Sequence, residues 1–219
     1  MDKGRENDKD KYKILCSKND VVLKRANHSS SDANSNANTF VIDFEIVNSE
    51  ITLDRFCSFN IFKLLFELNR EDAIQDLRIV DLNDADKNNA KDILIIFKKK
   101  CDDVGIKQKY MKTRLMLAVL RNEQTGVANY VFESDIDPKF GPLFESTEPV
   151  AGGRMEELRD IGTVLCMSLI NAHRLRMQFK ISVPISVQKQ PSYIENSLAL
   201  IMKKIFTRLK EFIEVMKAN

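Results

Sequence analysis

Two histidines, His28 and His173, and four cysteines are the whole supply of soft nucleophiles and imidazoles in a chain of 219 residues. His28 sits in "ANHSSSDANSNAN", a run of small polar residues whose burial cannot repay the entropy of ordering it, so it cannot hold a reacting group in place. His173 has no cysteine or carboxylate partner at helical spacing and reads as a surface histidine on a helix. Cys16, Cys57, Cys101 and Cys166 show no CxxC or other close spacing. They read as reduced thiols packed as small apolar side chains, not as metal ligands or a disulfide framework.

Carboxylates offer a second chemistry, because clusters of them hold paired divalent ions around a phosphate. Asp43 and Glu45 share one face of a candidate strand, and Asp76, Asp81, Asp84 and Asp86 gather around another strand and its following loop. No D…ExK pattern accompanies them. Asp92 in "KDILIIFKKK" comes nearest and lacks the downstream residues. "AGGRMEELRD" places two glycines before a predicted helix, but it lacks GxxxxGK[ST], and its first-turn glutamates would repel phosphate. No serine occupies a GxSxG elbow. The sequence therefore predicts a non-enzymatic protein with no cofactor and no metal; a metal-dependent nuclease using the acidic clusters is the alternative from another class.

Cations suggest binding. Lys98, Lys99 and Lys100 follow a candidate strand, and Lys107, Lys109, Lys112 and Arg114 lead into and along the next, with Tyr110 as a stacking surface. Arg174 and Arg176 form a second cluster. Together these are the candidate contacts to RNA or another polyanion, although lysines at a sheet edge also serve simply to block edge-to-edge aggregation. The formal net charge of +2 decides nothing, but charge is segregated along the chain: residues 43–92 carry net −6 and residues 173–219 net +6. Segregation of this kind steers association with a second copy.

The tail "SLALIMKKIFTRLKEFIEVMKAN" carries the clearest periodicity. Leu198, Met202, Ile205, Leu209, Phe212 and Met216 follow steps of four and three, a heptad-like seam widened by Ile201, Phe206 and Ile213. Such a face packs on its own domain, inserts into a partner subunit, or lies on a membrane surface, where bulky apolar and basic faces also suit. The expected partners are another copy of the chain or a different protein, with nucleic acid and peripheral membrane contact as further options. The expected role is a self-associating binding or assembly protein, with a membrane-surface scaffold as the alternative.

The elements that must position these residues follow from period and punctuation. Residues 1–39 read as a flexible arm in which "YKILCSKNDVVLKR" is either a short strand or a docking segment. A β-rich core spans 40–135: "TFVIDFEIV", "DLRIVDL" and "DILIIFK" read as strands, "SEITLDRFCSFNIFKLLFELNRE" as a buried helix, and "TRLMLAVLR" with "VANYVFES" as a hairpin. Three prolines and three glycines make 136–153 a linker. Residues 154–219 read as helix, strand, helix: "RMEELRDIGTVLCMSLINAHRLRMQF", then "KISVPISV" as an edge or irregular strand at Pro184, then the terminal helix. The predicted fold class is α+β, a mixed or mainly antiparallel sheet packed with helices. No apolar run reaches the ~18 residues a membrane span needs, and the charged first residues lack a signal peptide's apolar core, which places the protein inside the cell, in cytoplasm or nucleus.

Overall fold

Period-two alternation builds the sheet. The computed structural model describes residues 11–26, 37–82, 89–98, 108–135, 140, 155–184 and 192–218. Its strands are β1 (Tyr12–Lys18), β2 (Val21–Ala26), β3 (Ala37–Val47), β4 (Ile74–Asp81), β5 (Ala90–Phe97), β6 (Gln108–Arg121), β7 (Ala128–Ser134), β8 (Met155–Glu157), β9 (Gly162–Asn171) and β10 (Arg174–Pro184). Helix α1 covers Asn60–Asn69 and α2 covers Ser192–Val215. The order across the sheet is β1-β2-β3-β10-β9-β7-β6-β5-β4, every neighbour antiparallel, with the short β8 added parallel to β6.

Register carries one apolar face through the sheet rung by rung. Ile42 pairs with Phe179, Phe179 with Leu165, Leu165 with Phe132 and Phe132 with Leu117. A slip of one residue in any strand would turn its apolar set to solvent, so the pattern fixes the register. Onto this concave face α2 lays Ile205, Phe206, Leu209 and Ile213, all buried. The Phe206 ring lies 4.8 Å from Phe179 and 5.9 Å from Phe44. On the same face, beside α2, α1 and its approach set Phe59 and Phe62 edge-on to Phe132 at 5.1 and 5.4 Å. The end of α2 is held by Asn48, whose side-chain amide donates to the carbonyls of Ile213 and Met216 at 2.6 and 2.9 Å, satisfying groups a helix end leaves open.

The predicted helix from Arg154 to Phe179 is instead β8, β9 and β10. "GTVLCMSLI" is apolar at nearly every position because it is a central strand: Thr163, Leu165 and Met167 face the core while Val164, Cys166 and Ser168 are half-buried on the other side. That composition cannot be told from a buried helix by period alone. Its partner was more legible, since Leu175, Met177, Phe179, Ile181 and Val183 are buried and Arg174, Arg176, Gln178 and Lys180 exposed. The turn between them escaped notice because "NAHR" lacks glycine. The segment after β3 holds it: Leu53 N–H donates to the Ala172 carbonyl at 2.7 Å and Asn48 N–H to the His173 carbonyl at 3.1 Å. Pro184 is the last residue of β10, an interior strand, but it lies past the end of the β9 pairing at Ser182 and pairs only with Ala37 of β3, an edge-like place for a residue that cannot donate.

Two further differences concern the first half. The stretch expected as an arm contains the β1–β2 hairpin, whose turn residues Asn19 and Asp20 take φ of 52° and 57° as a two-residue hairpin loop requires. Val21 and Leu23 of that hairpin are fully buried. The helix expected from about residue 52 begins only at Asn60, after a single 3₁₀ turn at Asp54–Phe56.

The convex face of β5 and β6 carries a second small cluster. Leu94 and Ile96 are buried there beneath Val80, Tyr110, Phe140 and Met155. Asp92, 1% exposed, receives two hydrogen bonds from Arg114, at 2.7 and 3.1 Å. The Asp92 hydrogen bond raises the Arg114 pKa further. Asp92→Ala removes the carboxylate that accepts both of these Arg114 hydrogen bonds in a nearly dry site, and a loss of about 3 kcal/mol in urea unfolding is expected. The double variant Asp92→Leu/Arg114→Met should recover most of it. An Asp92→Ala midpoint equal to the parent's would show that the pair does not hold this face together.

A candidate ligand cavity between the sheet and the helices

One end of the concave face is not filled. There β4, β5, β6, β9 and β10 meet α1 and the middle of α2 around a cavity of about 90 Å³. Ile74 and Leu77, Ile93, Ile95 and Phe97, Met111 and Leu115, and Phe179 and Ile181 make its floor. Phe62 and Leu65 of α1 and Met202, Ile205 and Phe206 of α2 roof it. Leu158 and Ile161, from the β8–β9 connection, close the side. Among its eighteen lining residues only Thr113 and Thr163 are polar, and none is charged.

Such a space is expensive. Lining atoms facing a void lose their dispersion partners, which at ~24 cal/mol per Å³ amounts to about 2 kcal/mol. A second cost sits in the same wall. The Thr113 hydroxyl is buried in a residue 5% exposed and has no hydrogen-bond partner among the described residues. Leaving a hydroxyl unsatisfied costs roughly 1–3 kcal/mol.

A second, polar pocket of about 350 Å³ adjoins the first, and the two share Met111, Thr113, Leu158 and Ile161. Its origin is a change of partner along β6. Gln108–Tyr110 pair with β8 and Leu115–Arg121 with β7. Met111, Lys112 and Thr113 pair with β5 on one side. On the other, between the bonds Leu158 N–H to Tyr110 carbonyl and Asp135 N–H to Arg114 carbonyl, no described strand pairs with them. Asp160, with φ of 58°, turns the β8–β9 connection along the rim.

Of the residues singled out in the sequence, Met202 and Ile205 line the inner cavity and Lys112 the outer pocket; the other described ones lie elsewhere. Lys99, Lys100 and Lys107 are outside the described residues, as are His28, Asp84, Asp86 and the Gly152–Gly153 pair. Lys98 donates to the Glu71 carbonyl. Lys109 pairs with Glu156 at 2.6 Å and Lys112 with Glu157 at 3.7 Å, the two glutamates expected in a helix's first turn. Arg114 is bound to Asp92, Arg174 to Glu45, and Arg176 to Asp43 at 3.0 Å. Tyr110 packs in the convex-face cluster. β7 and β9 separate the β6 cations from those on β10, so the two clusters do not converge, and Lys98, Lys109, Lys112, Arg114, Arg174 and Arg176 each face a carboxylate or carbonyl. His173 is in the β9–β10 turn, its Nδ1 3.0 Å from the carbonyls of Asn48 and Ile51. Among the described residues no three of His, Cys, Asp and Glu gather as a metal site.

Asp43 carries a pH signature. Burial pushes its carboxyl up, but the hydrogen bonds and charges of Arg176 and Lys24 together outweigh this and hold it below the ordinary carboxylate range. A depressed carboxyl adds stability that is present above its unfolded pKa of about 3.9 and disappears as pH falls through the lower folded value. Asp43→Asn should therefore be less stable than the parent at neutral pH, with the gap closing below about pH 4. A gap that is constant down to acid pH would contradict the assignment.

The seam expected on α2 is rotated. Ile205 and Leu209 face the protein's own core along with Phe206 and Ile213, Met202 and Met216 are half-buried against it, and Phe212 is 38% exposed. The side chain of Leu198 lies outside the described residues.

A curved antiparallel sheet wrapped around a long C-terminal helix, with a cavity between them, is a START-like helical-grip fold. The chain is similar to the human StarD13 lipid transfer and protein localization domain, with a TM-score of 0.60 and 10% identity over 94% of this chain and 90% of that one. It is also similar to human STARD10 (TM-score 0.56, 9% identity, 92% and 72% covered) and to human StAR-related lipid transfer protein 5 (0.54, 11%, 93% and 86%). No protein-family model matches the sequence, and no curated protein matches it. The shared fold corrects the expectation of an RNA-binding, self-associating structural protein: it is the fold of domains named for lipid transfer. No helix among the described residues is long and apolar enough to cross a membrane.

Proposed function

We propose that the chain binds a lipid or similarly apolar small molecule in the cavity between the sheet and α2, and does so without chemically converting it. The carrying observation is a cavity whose lining is apolar save for two threonines, kept open at a cost a packed core would not bear. The likeness to human lipid-transfer domains supports this reading. A ligand of this kind is insoluble and has to be taken from a membrane surface, so brief peripheral contact belongs to the same proposal.

Fluorescence of the apolar probe diphenylhexatriene tests it. Titration into the folded chain should give an enhancement that saturates near one probe per chain. Ligand that binds only the native state should also raise the melting temperature, in proportion to RT ln(1 + [L]/Kd). No enhancement at any concentration at which the probe stays dissolved would sink the proposal.

A further inference from the structure

We propose that the β6–β7 hairpin is a membrane contact of its own, inserting Val119 and Leu120 into the surface of a charge-neutral bilayer. The cavity lies toward the opposite end of the same strands, at Ile74, Phe97, Met111 and Ile181, so this contact is separate from the ligand site and does not depend on it. Three observations carry it. Among the described residues Ala118 to Arg121 pair with β7 alone, and there Val119 is 46% and Leu120 59% exposed. As neighbours in one strand they stand on opposite faces, Val119 with Leu115 and Leu117, Leu120 with the 46% exposed Met116. A protein groove covers one face of a hairpin, whereas a lipid layer surrounds both. The second observation is the turn. Asn122 N–H donates to the Val127 carbonyl at 3.0 Å and Gly126 N–H to the Asn122 carbonyl at 2.9 Å. The Asn122 side chain accepts from the Gln124 and Thr125 N–H groups at 3.0 and 3.1 Å. These donors are satisfied inside the turn, as backbone entering a lipid layer must be.

The third is what stands beside the hairpin. Leu175 pairs with Leu169 and Arg174 with Asn171, which leaves Ile170 as the extra residue of a bulge, 40% exposed at the same end of the sheet. Val47, 54% exposed, ends β3 opposite Arg174. Together these side chains offer a few hundred Å² divided between two faces. That falls short of the ~800 Å² per partner of a stable protein complex and suits shallow, reversible insertion. Charge sets the kind of bilayer. Arg121 follows Leu120, but Glu123 stands at the tip of the turn and Arg174 is bound to Glu45. Cations and carboxylates are matched there, so apolar insertion drives the contact, not attraction to anionic lipid.

Flotation of the full chain with small phosphatidylcholine vesicles tests the contact. The parent should float with them, and adding phosphatidylserine or salt should change its partition by less than about twofold. The double variant Val119→Ser/Leu120→Ser alters exposed positions and should fold; its partition should fall by roughly tenfold or more. Ile14→Ser and Leu200→Ser, at exposed apolar positions away from this end, should partition as the parent does. The chain has no tryptophan, so Leu120→Trp reports this place alone. Its emission should move to shorter wavelength on vesicles, and that of Leu200→Trp should not. A parent that stays off the vesicles, binding lost in Leu200→Ser instead, or binding that needs phosphatidylserine and disappears in salt would overturn the proposal. So would a parent twice the mass of the double variant by light scattering, which would make a second copy the occupant. Diphenylhexatriene binding without vesicles should be equal in the parent and the double variant, so this contact and the ligand cavity stand or fall separately.

Discussion

Leu209→Asp will leave the chain without a cooperative unfolding transition, whereas Phe212→Asp, three residues along the same helix, will unfold within a few degrees of the parent. Leu209 is fully buried on the inward face of α2, and Phe212 is 38% exposed. Truncating a buried leucine to alanine already costs about 2–5 kcal/mol. A carboxylate at the same place adds the desolvation of a charge with no cation facing it, and the total approaches the 5–15 kcal/mol that holds a domain of this size together. The loss spreads beyond one contact, because α2 also roofs the cavity through Met202, Ile205 and Phe206 and is tied at its far end by Asn48. Phe212→Asp removes only partly exposed apolar surface, for which about 1 kcal/mol or less and a shift of ~2–4 °C are expected. Thermal unfolding followed by circular dichroism separates the outcomes. A Leu209→Asp chain melting beside the parent would show that α2 does not dock on the sheet through this face.

That contrast marks what the heptad-like spacing reveals. Period alone identifies α2 and its apolar breadth. It does not separate the Leu198–Met216 seam from the Ile205, Phe206, Leu209 and Ile213 face that the sheet covers, since both satisfy steps of three and four. The α+β class, the strands β3, β4, β6 and β7 and the terminal helix were legible because each has a solvent-facing side to set its period, and β5, covered on both faces, because its short isoleucine-rich run is bounded by polar segments. β9 was not, because it is covered on both sides, and the β9–β10 turn was not, because its bonds come from Asn48 and Leu53. Cysteine reading fared better with burial known. Cys57 is buried, which raises its thiol to about 12, with Asp54 adding to the effect, so it packs as an inert apolar group.

The cavity was the least legible part for a related reason. Its residues run from Phe62 to Phe206 across five strands, two helices and a connection, and every one of them reads singly as core. Basic clusters drew attention because charge is conspicuous in a sequence, yet the fold spends those charges on ion pairs with Asp43, Glu45, Asp92, Glu156 and Glu157. The local traces of the site are two inward hydroxyls, Thr163 on β9 and Thr113 on β6 between Met111 and Leu115. A threonine in a strand is too common to single out until its missing partner is seen.

Filling the cavity should uncouple stability from binding. Ile95→Phe places a ring where Ile95 lines the floor, on a strand position that accepts aromatic side chains. The added atoms enter existing space, so the variant recovers part of the ~2 kcal/mol lost to the void instead of straining a full core. Its ligand-free melting temperature should equal or exceed the parent's by up to a few degrees. Diphenylhexatriene and 1-decanol should then compete with the ring for the same volume, and their affinities should drop by an order of magnitude or more, since a ligand can enter only by displacing a packed side chain. The ligand-induced rise in melting temperature should vanish with them. A structural hole with no ligand would give the first effect without the second, because there would be no binding to lose. A variant that is destabilised and still binds would show that the ring cannot enter the space and that ligand sits elsewhere. Increased stability with lost binding is what a cavity kept open for a ligand requires.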